Sequence, residues 1–167
     1  MSASTGRPVG AQNSTMKTIT FRTALLSDLP AIVALLADDE LGAHREATGS
    51  TLDERYVAAF RAIEVDPNQR LVVAVDGELV VGTLQLSFIP GIARTGAWRG
   101  QIEAVRIAAP LRDSGVGRQM FEWALSECRL RDCKIVQLTT DKGRPDAHRF
   151  YEKLGFVASH EGYKLTL

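Results

Sequence analysis

The chain has few cysteines, no excess of charge and no long apolar run, and each of these absences removes a class of protein. Cys128 and Cys133, the two cysteines among 167 residues, have no histidine or further cysteine nearby, so they form neither a zinc pattern nor a disulfide framework. Twenty basic residues balance twenty acidic residues, which leaves no overall field for nucleic acid or an anionic membrane surface. No apolar stretch approaches the roughly 20 residues that span a bilayer, and the first residues lack a secretory signal. We therefore expect a cytoplasmic protein that needs no metal and binds neither nucleic acid nor membrane.

Composition and length favour a single globular domain. With 45% apolar and 24% charged residues, the chain can bury a core large enough to fold unaided. Residues 1–15 are small and polar, which predicts a flexible tail or an added extension and makes Met16 a candidate natural start. No repeat or linker interrupts the remainder. We therefore predict one domain over residues 16–167.

Strand patterns recur along the chain, beginning with a central hairpin. The β-rich runs 71–75 and 79–88 are joined through Asp76-Gly77, a pair that tolerates the positive φ angles of a tight hairpin turn. Further strands are predicted at 17–23, 98–108 and 135–140, with two closing strands at 156–159 and 163–167.

Apolar residues recur at helical spacing in four other segments. Ser27 is the predicted N-cap of the first helix, and Thr51 with Glu54 forms a capping box for the second. The third helix, 116–130, directly follows a strand, and the fourth covers 145–154. Early strands and hairpins followed by strand, helix, strand and helix indicate a mixed α/β sheet.

The most informative segment is 101–120, where a strand enters a helix through a glycine-containing turn. Gly115 and Gly117 allow the backbone to bend and approach a ligand closely, while the first N–H groups of the helix and its dipole attract phosphate. Arg112 and Arg118 can add charge-assisted contacts to the same group. The turn is not an NTPase phosphate loop, because Gly-Lys-Ser/Thr is missing, nor a dinucleotide fingerprint, because its third glycine is missing.

Two motifs together resemble the GNAT superfamily of N-acetyltransferases. The first is R-x-x-G-x-G from Arg112 to Gly117 after a strand, and the second is A-x-x-x-Y-x-x-x-G-F from Ala147 to Phe156. The resemblance extends in element order over about residues 17–167. It implies a mixed, strongly twisted central sheet flanked by helices and splayed between strands 4 and 5, with acetyl-coenzyme A in the opening as cosubstrate.

The resemblance also implies which residues hold the cosubstrate. Backbone groups near the end of strand 4 would bind the pantetheine arm, and the amides of the turn would hold the pyrophosphate. Many relatives have an asparagine near the start of the late helix, where this chain has Asp146. The resemblance therefore gives the weakest support for a binding role at that position. The implied binding residues are Val105, Arg106, Ile107, Arg112, Asp113, Ser114, Gly115, Val116, Gly117, Arg118 and Asp146.

Acetyl transfer to an amine requires a neutral nucleophile and a proton for the departing thiolate. An alkyl amine with a pKa near 10.4 is neutral only roughly once in a few thousand molecules at pH 7, so a base or a desolvating site must help. Glu103, an acid in an otherwise apolar strand, is the candidate base, acting through water; the alternative is a structural salt bridge. Tyr151 occupies the position that often protonates the thiolate in the GNAT pattern; the alternative is a core aromatic residue.

These features predict an N-acetyltransferase that moves an acetyl group from acetyl-CoA to a primary amine by direct transfer in a ternary complex. A small molecule or amino acid is favoured over protein as the acceptor, and Arg94 and Arg99 are candidates to bind an acceptor carboxylate. The acceptor region is expected at residues 40–49, at the loop 90–99 and at the final hairpin. The alternative function is a noncatalytic module of the same fold that senses acyl-CoA or binds a protein. The resemblance also allows a homodimer.

Overall fold

In the residues that the structure describes, five strands form one mixed sheet in the order β1-β2-β3-β4-β5. A computed structural model describes residues 19–38, 43–47, 49 and 51–167. Neighbours from β1 to β4 are antiparallel, whereas β5 is parallel to β4, which confirms the predicted mixed α/β sheet. The strands are β1 (Ile19–Thr23), β2 (Gln69–Asp76), β3 (Leu79–Ile89), β4 (Arg99–Ile107) and β5 (Ile135–Leu138).

Helices cover both faces of the sheet. Leu71, Val73 and Val75 of β2 pack against one pair of helices, α1 and α2, and we call this side the α1–α2 face. Leu84 and Ile102, which point the other way, pack in the cluster that contains α4 and contacts α5, and this is the α4–α5 face. The helices are α1 (Leu29–Ala37), α2 (Glu54–Val65), the single turn α3 (Ala93–Gly96), α4 (Val116–Leu130) and α5 (Pro145–Lys153).

The central hairpin forms as predicted. β2 and β3 pair through a turn in which Gly77 has a φ of 62°, a left-handed conformation that a glycine adopts without steric cost. The predicted helix 116–130 and the predicted strand 98–108 are also confirmed, each to within a residue at either end. The strong apolar patterns of these segments therefore predicted the central elements of the fold correctly.

Both predicted helix caps are wrong. The first helix begins at Leu29 after Asp28 rather than after Ser27, because the Asp28 carboxylate accepts the Leu25 N–H (2.7 Å) and fixes the entry of the chain. The second helix begins at Glu54, three residues after Thr51, because the Asp53 carboxylate caps it by accepting the Arg55 N–H at 2.9 Å. Asp53 is thus the side-chain cap of the second helix, whereas the Asp28 side chain makes no capping bond to α1 and instead closes the short 3₁₀ turn Leu26–Asp28, which contains Ser27.

The two predicted closing strands are wrong as well. Residues 156–167 contain no strand, and Val157, Tyr163, Leu165 and Leu167 are all more than 80% exposed. Alternation of apolar and polar residues gives a strand only when a neighbouring strand pairs with it and covers its apolar face, and here neither happens. Within the described residues, β5 is consequently the edge of the sheet.

The sheet opens between β4 and β5, as expected. The two strands pair only from Arg99 to Ile102 of β4 and from Ile135 to Leu138 of β5. β4 then continues to Ile107 with β3 on one side and, among the residues that the structure describes, no strand on the other. The divergence begins beside Ala104, which has a φ of 53° and lies in a bulge of the β3–β4 pairing.

None of the helices in the described ranges combines the length and apolar character that crossing a membrane requires. Residues 1–15 and Met16 lie outside the described residues, so the polar tail and the single domain over 16–167 remain predictions.

Candidate active site

The turn before α4 presents a row of backbone N–H groups. Gly115 is the N-cap residue, with a φ of 91°, and the first hydrogen bond of the helix runs from the Gln119 N–H to the Gly115 carbonyl at 3.1 Å. The amides of Val116, Gly117 and Arg118 precede that bond and therefore have no partner inside the helix. Residues 112–115 are exposed. The geometry provides an accessible anion cradle, of the kind that binds phosphate at helix N-termini.

The two arginines of this turn differ in what they contact. Arg112 donates from Nη2 to the carboxylate (2.6 Å) and carbonyl (2.9 Å) of Asp38, at the end of α1, and from Nε to the Ile107 carbonyl (3.2 Å). Arg118 is exposed and lies 3.7 Å from Glu122, one turn further along α4. Arg112 thus ties the cradle to α1, whereas the Arg118 guanidinium is held only loosely.

The open edge of β4 forms one wall of the gap. Arg106 and Ile107 pair with Thr83 and Gly82 of β3 on their other side, and the Val105 carbonyl accepts from Arg106 Nη1 at 2.8 Å. Across the gap, just after β5, the Thr140 hydroxyl is buried without a hydrogen-bond partner in the described part of the chain. A buried polar atom left unpaired costs about 1–3 kcal/mol, so this hydroxyl is suited to a ligand that enters the gap.

Tyr151 lies on α5, half-buried, at the wall of a cavity of about 1000 Å³ that also includes Thr140. Its ring packs against Phe121 and Phe150 at centroid distances of 5.6 and 5.5 Å. Burial raises the pKa of the Tyr151 phenol, while the positive charges of Arg144 and Arg106 act in the opposite direction. The phenol is therefore protonated at neutral pH and has two cations near enough to favour its phenolate.

Glu103 lies on the opposite face of the sheet from Tyr151. It pairs with Gln85, which lines a small pocket of about 120 Å³ between α1 and α2, whereas its neighbour Ile102 is buried on the α4–α5 face. The Glu103 side chain is exposed and has no ion pair with any described residue, so the salt-bridge alternative finds no partner there. The base and acid candidates thus flank the gap from opposite faces.

Asp146 is in the first turn of α5 and is exposed. Its carboxylate forms an ion pair with Arg149, one turn along the same helix. The side chain is thus already engaged, and an acid here would repel a phosphate, whereas the asparagine common in the resembling proteins would not. The remaining turn residues, Asp113 and Ser114, are exposed, with Ser114 Oγ donating to the Leu111 carbonyl at 2.6 Å.

The predicted acceptor region is only partly described. Residues 39–42, 48 and 50 lie outside the described residues, whereas Glu46 accepts a 2.7 Å hydrogen bond from the Tyr56 hydroxyl of α2. Arg94 and Arg99 both line the large cavity, but Arg94 is in the left-handed turn α3. The final hairpin does not form.

Sequence reasoning missed three features of the site. Arg106 and Arg144 act electrostatically on Tyr151, Thr140 has its unpaired hydroxyl at the gap, and Arg112 binds Asp38. Each of these depends on contacts between segments distant in the chain. Only Thr140 carried a local signal, since it ends the run 135–140 that predicted a strand.

Comparison with known proteins agrees with this geometry. The family model described as Acetyltransferase (GNAT) family matches residues 30–156, which is most of the chain. The aminoalkylphosphonate N-acetyltransferase of Salmonella typhimurium is 29% identical over 140 residues, covering 83% of this chain and 85% of that protein.

Two solved structures share the fold over most of the chain. A transcriptional regulator from Bacillus halodurans C-125 superposes with a TM-score of 0.87 at 47% identity, covering 90% of this chain and all of that one (100%). A protein of Agrobacterium tumefaciens str. C58 assigned to the acetyltransferases has a TM-score of 0.78 at 27% identity, covering 89% of this chain and 99% of that one.

Proposed function

Because the chain belongs to the acetyltransferase (GNAT) family, we propose that it moves the acetyl group of acetyl-CoA directly onto the primary amine of a small molecule. The observation that carries the proposal is the gap between β4 and β5, which has Glu103 on one face of the sheet and Tyr151 at its other side. Direct transfer in a ternary complex needs a base on the acceptor side and an acid on the thiol side, and a glutamate and a tyrosine placed in this way support the proposal.

The residues around the gap fit acetyl-CoA. The amides from Asp113 to Arg118 would hold the pyrophosphate at the N-terminus of α4, with the Arg118 side chain adding charge. Arg112, through Asp38, would keep the cradle in place rather than contact phosphate. The pantetheine arm would bind to backbone groups of Val105, Arg106 and Ile107. It would also contact the Thr140 hydroxyl and the N-terminal backbone of α5 at Asp146. Acetyl-CoA supplies the activated acetyl thioester.

The two ionisable side chains would divide the proton transfers between them. Glu103 would accept the proton of the incoming ammonium through water, which leaves the amine nitrogen free to form the new bond to the acetyl carbon. As the carbon–sulfur bond breaks, Tyr151 would donate its phenolic proton to the thiolate. Arg106 and Arg144 would stabilise the resulting phenolate until it takes up, through water, the second proton that the attacking nitrogen loses on becoming an amide. No covalent acetyl-enzyme is required, and burial, which raises the pKa of the Cys128 thiol to about 12, makes that residue a poor nucleophile.

The experiment that tests the proposal measures release of free CoA thiol from acetyl-CoA with a panel of small amines. We expect Tyr151→Phe to lower kcat at least tenfold with little change in CoA affinity, since only the proton donor is removed. Glu103→Gln should lower the rate most at pH 7 and least near pH 10, where roughly a third of the amine is already neutral. Tyr163→Phe, on the exposed tail, is the matched control and should behave as wild type.

Either of two results would contradict this function. Equal turnover by Tyr151→Phe and wild type would remove Tyr151 from the reaction. A loss in Glu103→Gln that is constant across pH would mean that Glu103 does not act as a base.

A second candidate, a noncatalytic module that senses acyl-CoA, is favoured by one observation: the Bacillus halodurans protein of 47% identity is called a transcriptional regulator. Such a module would use the same cradle but would need neither the acid nor the base. Binding of acetyl-CoA without thiol release for any amine in the panel would select this second function. A homodimer is compatible with both functions, and light scattering of the full chain measures it directly.

A further inference from the structure

We propose that the acceptor is a small amine that also carries an acidic group, a carboxylate or a phosphonate, and that Arg99 binds this group. The inference rests on the proposed acetyltransferase function and names the class of its acceptor. It is carried by the register of β4, which places Arg99 and Glu103 on one face of the sheet; the positive cavity beside β5 meets this row at Arg99 and does not include Glu103.

The register of the sheet places Arg99 on the same face as Glu103. Along β4, Arg99, Gln101 and Glu103 alternate with buried residues, and their partners on β3 are Ile89, Ser87 and Gln85. Because paired residues share a face, the three β4 side chains all project from the α1–α2 face. Gln101 is held by the Gln137 amide, which donates to its Oε1 at 2.6 Å. The row therefore contains an acid at the gap, an amide pair, and a cation at the far end.

The spacing along this row suits a short molecule. Arg99 and Glu103 are four residue steps apart along the strand, which is about 13 Å between their Cα atoms. Both side chains are long and flexible, so their charged ends can converge well inside that span. An acceptor with its ammonium at Glu103 and its acidic group a few atoms away can contact both ends at once.

The cavity beside β5 has an excess of positive charge. Its lining includes the basic residues Arg94, Arg99, Arg129 and Lys134 and the single acid Glu152, although basic and acidic residues are equal in number over the whole chain. Lys134 is paired with Asp132 at 2.5 Å, whereas the Arg99 side chain is exposed and forms no ion pair within ranges 19–38, 43–47, 49 and 51–167. A concave surface of one sign concentrates ligands of the other sign.

Arginine is suited to both candidate groups. Its planar guanidinium binds a carboxylate or a phosphonate-like oxyanion in a bidentate manner, which neither glutamine nor lysine reproduces fully. Arg99 is better placed than Arg94 for this role, because it lies in a strand on the row with Glu103, whereas Arg94 lies in the left-handed turn α3.

The test compares three acceptors of similar length in the thiol-release assay: 2-aminoethylphosphonate, β-alanine and propylamine. With wild type, we expect kcat/KM for at least one of the two acidic amines to exceed that for propylamine at least tenfold. In Arg99→Gln, KM for the acidic amine should rise about tenfold or more with kcat nearly unchanged, and kinetics with propylamine should change less than twofold. Arg99→Lys should retain part of the preference, and the ratio between the two acidic amines identifies the group preferred.

Arg61→Gln, an exposed arginine of α2 outside the cavity, is the control for a change in overall charge and should retain wild-type kinetics. Equal losses for propylamine and the acidic amines in Arg99→Gln, or a wild type without preference, would overturn the inference while leaving the acetyltransferase function intact. If no amine supports thiol release, the proposed function fails first and this inference fails with it.

Discussion

Replacing Gly100 with alanine tests how α4 is seated on the sheet. Gly100 is buried on β4, and a Cβ built on it would lie well inside 3.0 Å of the Cys128 sulfur, a separation that real Cβ atoms do not show. The second neighbour, Val136 Cγ2, would be at an ordinary 3.6 Å. The conflict is therefore confined to a single sulfur atom, which is itself only 1% exposed and cannot move into solvent.

The magnitude follows from two opposing effects. Overpacking a tight core typically costs about 1–3 kcal/mol, whereas replacing glycine within a strand recovers about 0.5–1 kcal/mol of conformational entropy. We expect Gly100→Ala to lower the free energy of unfolding by about 1–2 kcal/mol, which is about 2–8 °C in Tm for a chain of this size. Cys128→Ala alone should cost about 1 kcal/mol through lost burial and a small cavity.

The double variant Gly100→Ala/Cys128→Ala is the decisive measurement, made by urea unfolding. The added methyl then occupies the space of the missing sulfur, so the double variant should be more stable than Gly100→Ala alone. Gly77→Ala is the matched control, because its added Cβ meets nothing within 4 Å and its cost should add to that of Cys128→Ala. Losses for Gly100→Ala and Cys128→Ala that add to within about 0.5 kcal/mol would refute the contact.

Two further predictions concern the cradle and the acid side of the pH range. Gly115→Ala should weaken CoA binding about tenfold, measured by calorimetry. Gly115 has a left-handed φ of 91°, and an alanine there would leave this conformation in the free protein and need about 1–2 kcal/mol to return to it on binding. Gly96→Ala is the control, because Gly96 is also left-handed but lies outside the cradle, and this variant should bind CoA as wild type does. Arg22 and the Leu25 N–H hold the pKa of Asp28 below its ordinary value, so this stabilisation is complete above about pH 4 and is lost as pH falls through the folded-state pKa. The stability difference between wild type and Asp28→Asn should therefore shrink below pH 4, and a difference that is constant from pH 7 to pH 3 would contradict the assignment.

The parts of the fold that the sequence predicted well are those with strong local signals. The β2–β3 hairpin follows from Asp76-Gly77 between two apolar runs, and α4 follows from an apolar stripe directly after a glycine turn. The left-handed turn at Gly115 belongs to the same group, because its geometry depends on the backbone of a few consecutive residues. The predicted caps were wrong because Ser27 lies inside a 3₁₀ turn that precedes α1, and because Asp53, a better cap than threonine, lies directly before α2.

The parts that could not be predicted depend on contacts across the molecule. The tail from Val157 to Leu167 has the composition of a strand, but pairing depends on a neighbour that sequence alone does not provide. No feature of the local sequence predicts the left-handed φ of Ala104, because alanine does not favour this conformation. The surrounding sheet holds the residue in it. The positions of Arg106 and Arg144 around Tyr151 likewise require the folded arrangement of β4 and α5.

The divergence of β4 from β5 has a consequence for how such a protein can change its chemistry. In the proposed reaction, the thiol donor and the amine would reach the reacting carbon from opposite sides of one sheet, and the residues proposed for the two differ. Exchange of residues such as Arg99 and Gln101 would then change the accepted amine without disturbing the residues proposed to bind the common donor. One scaffold can in this way diversify its acceptors while its donor stays constant.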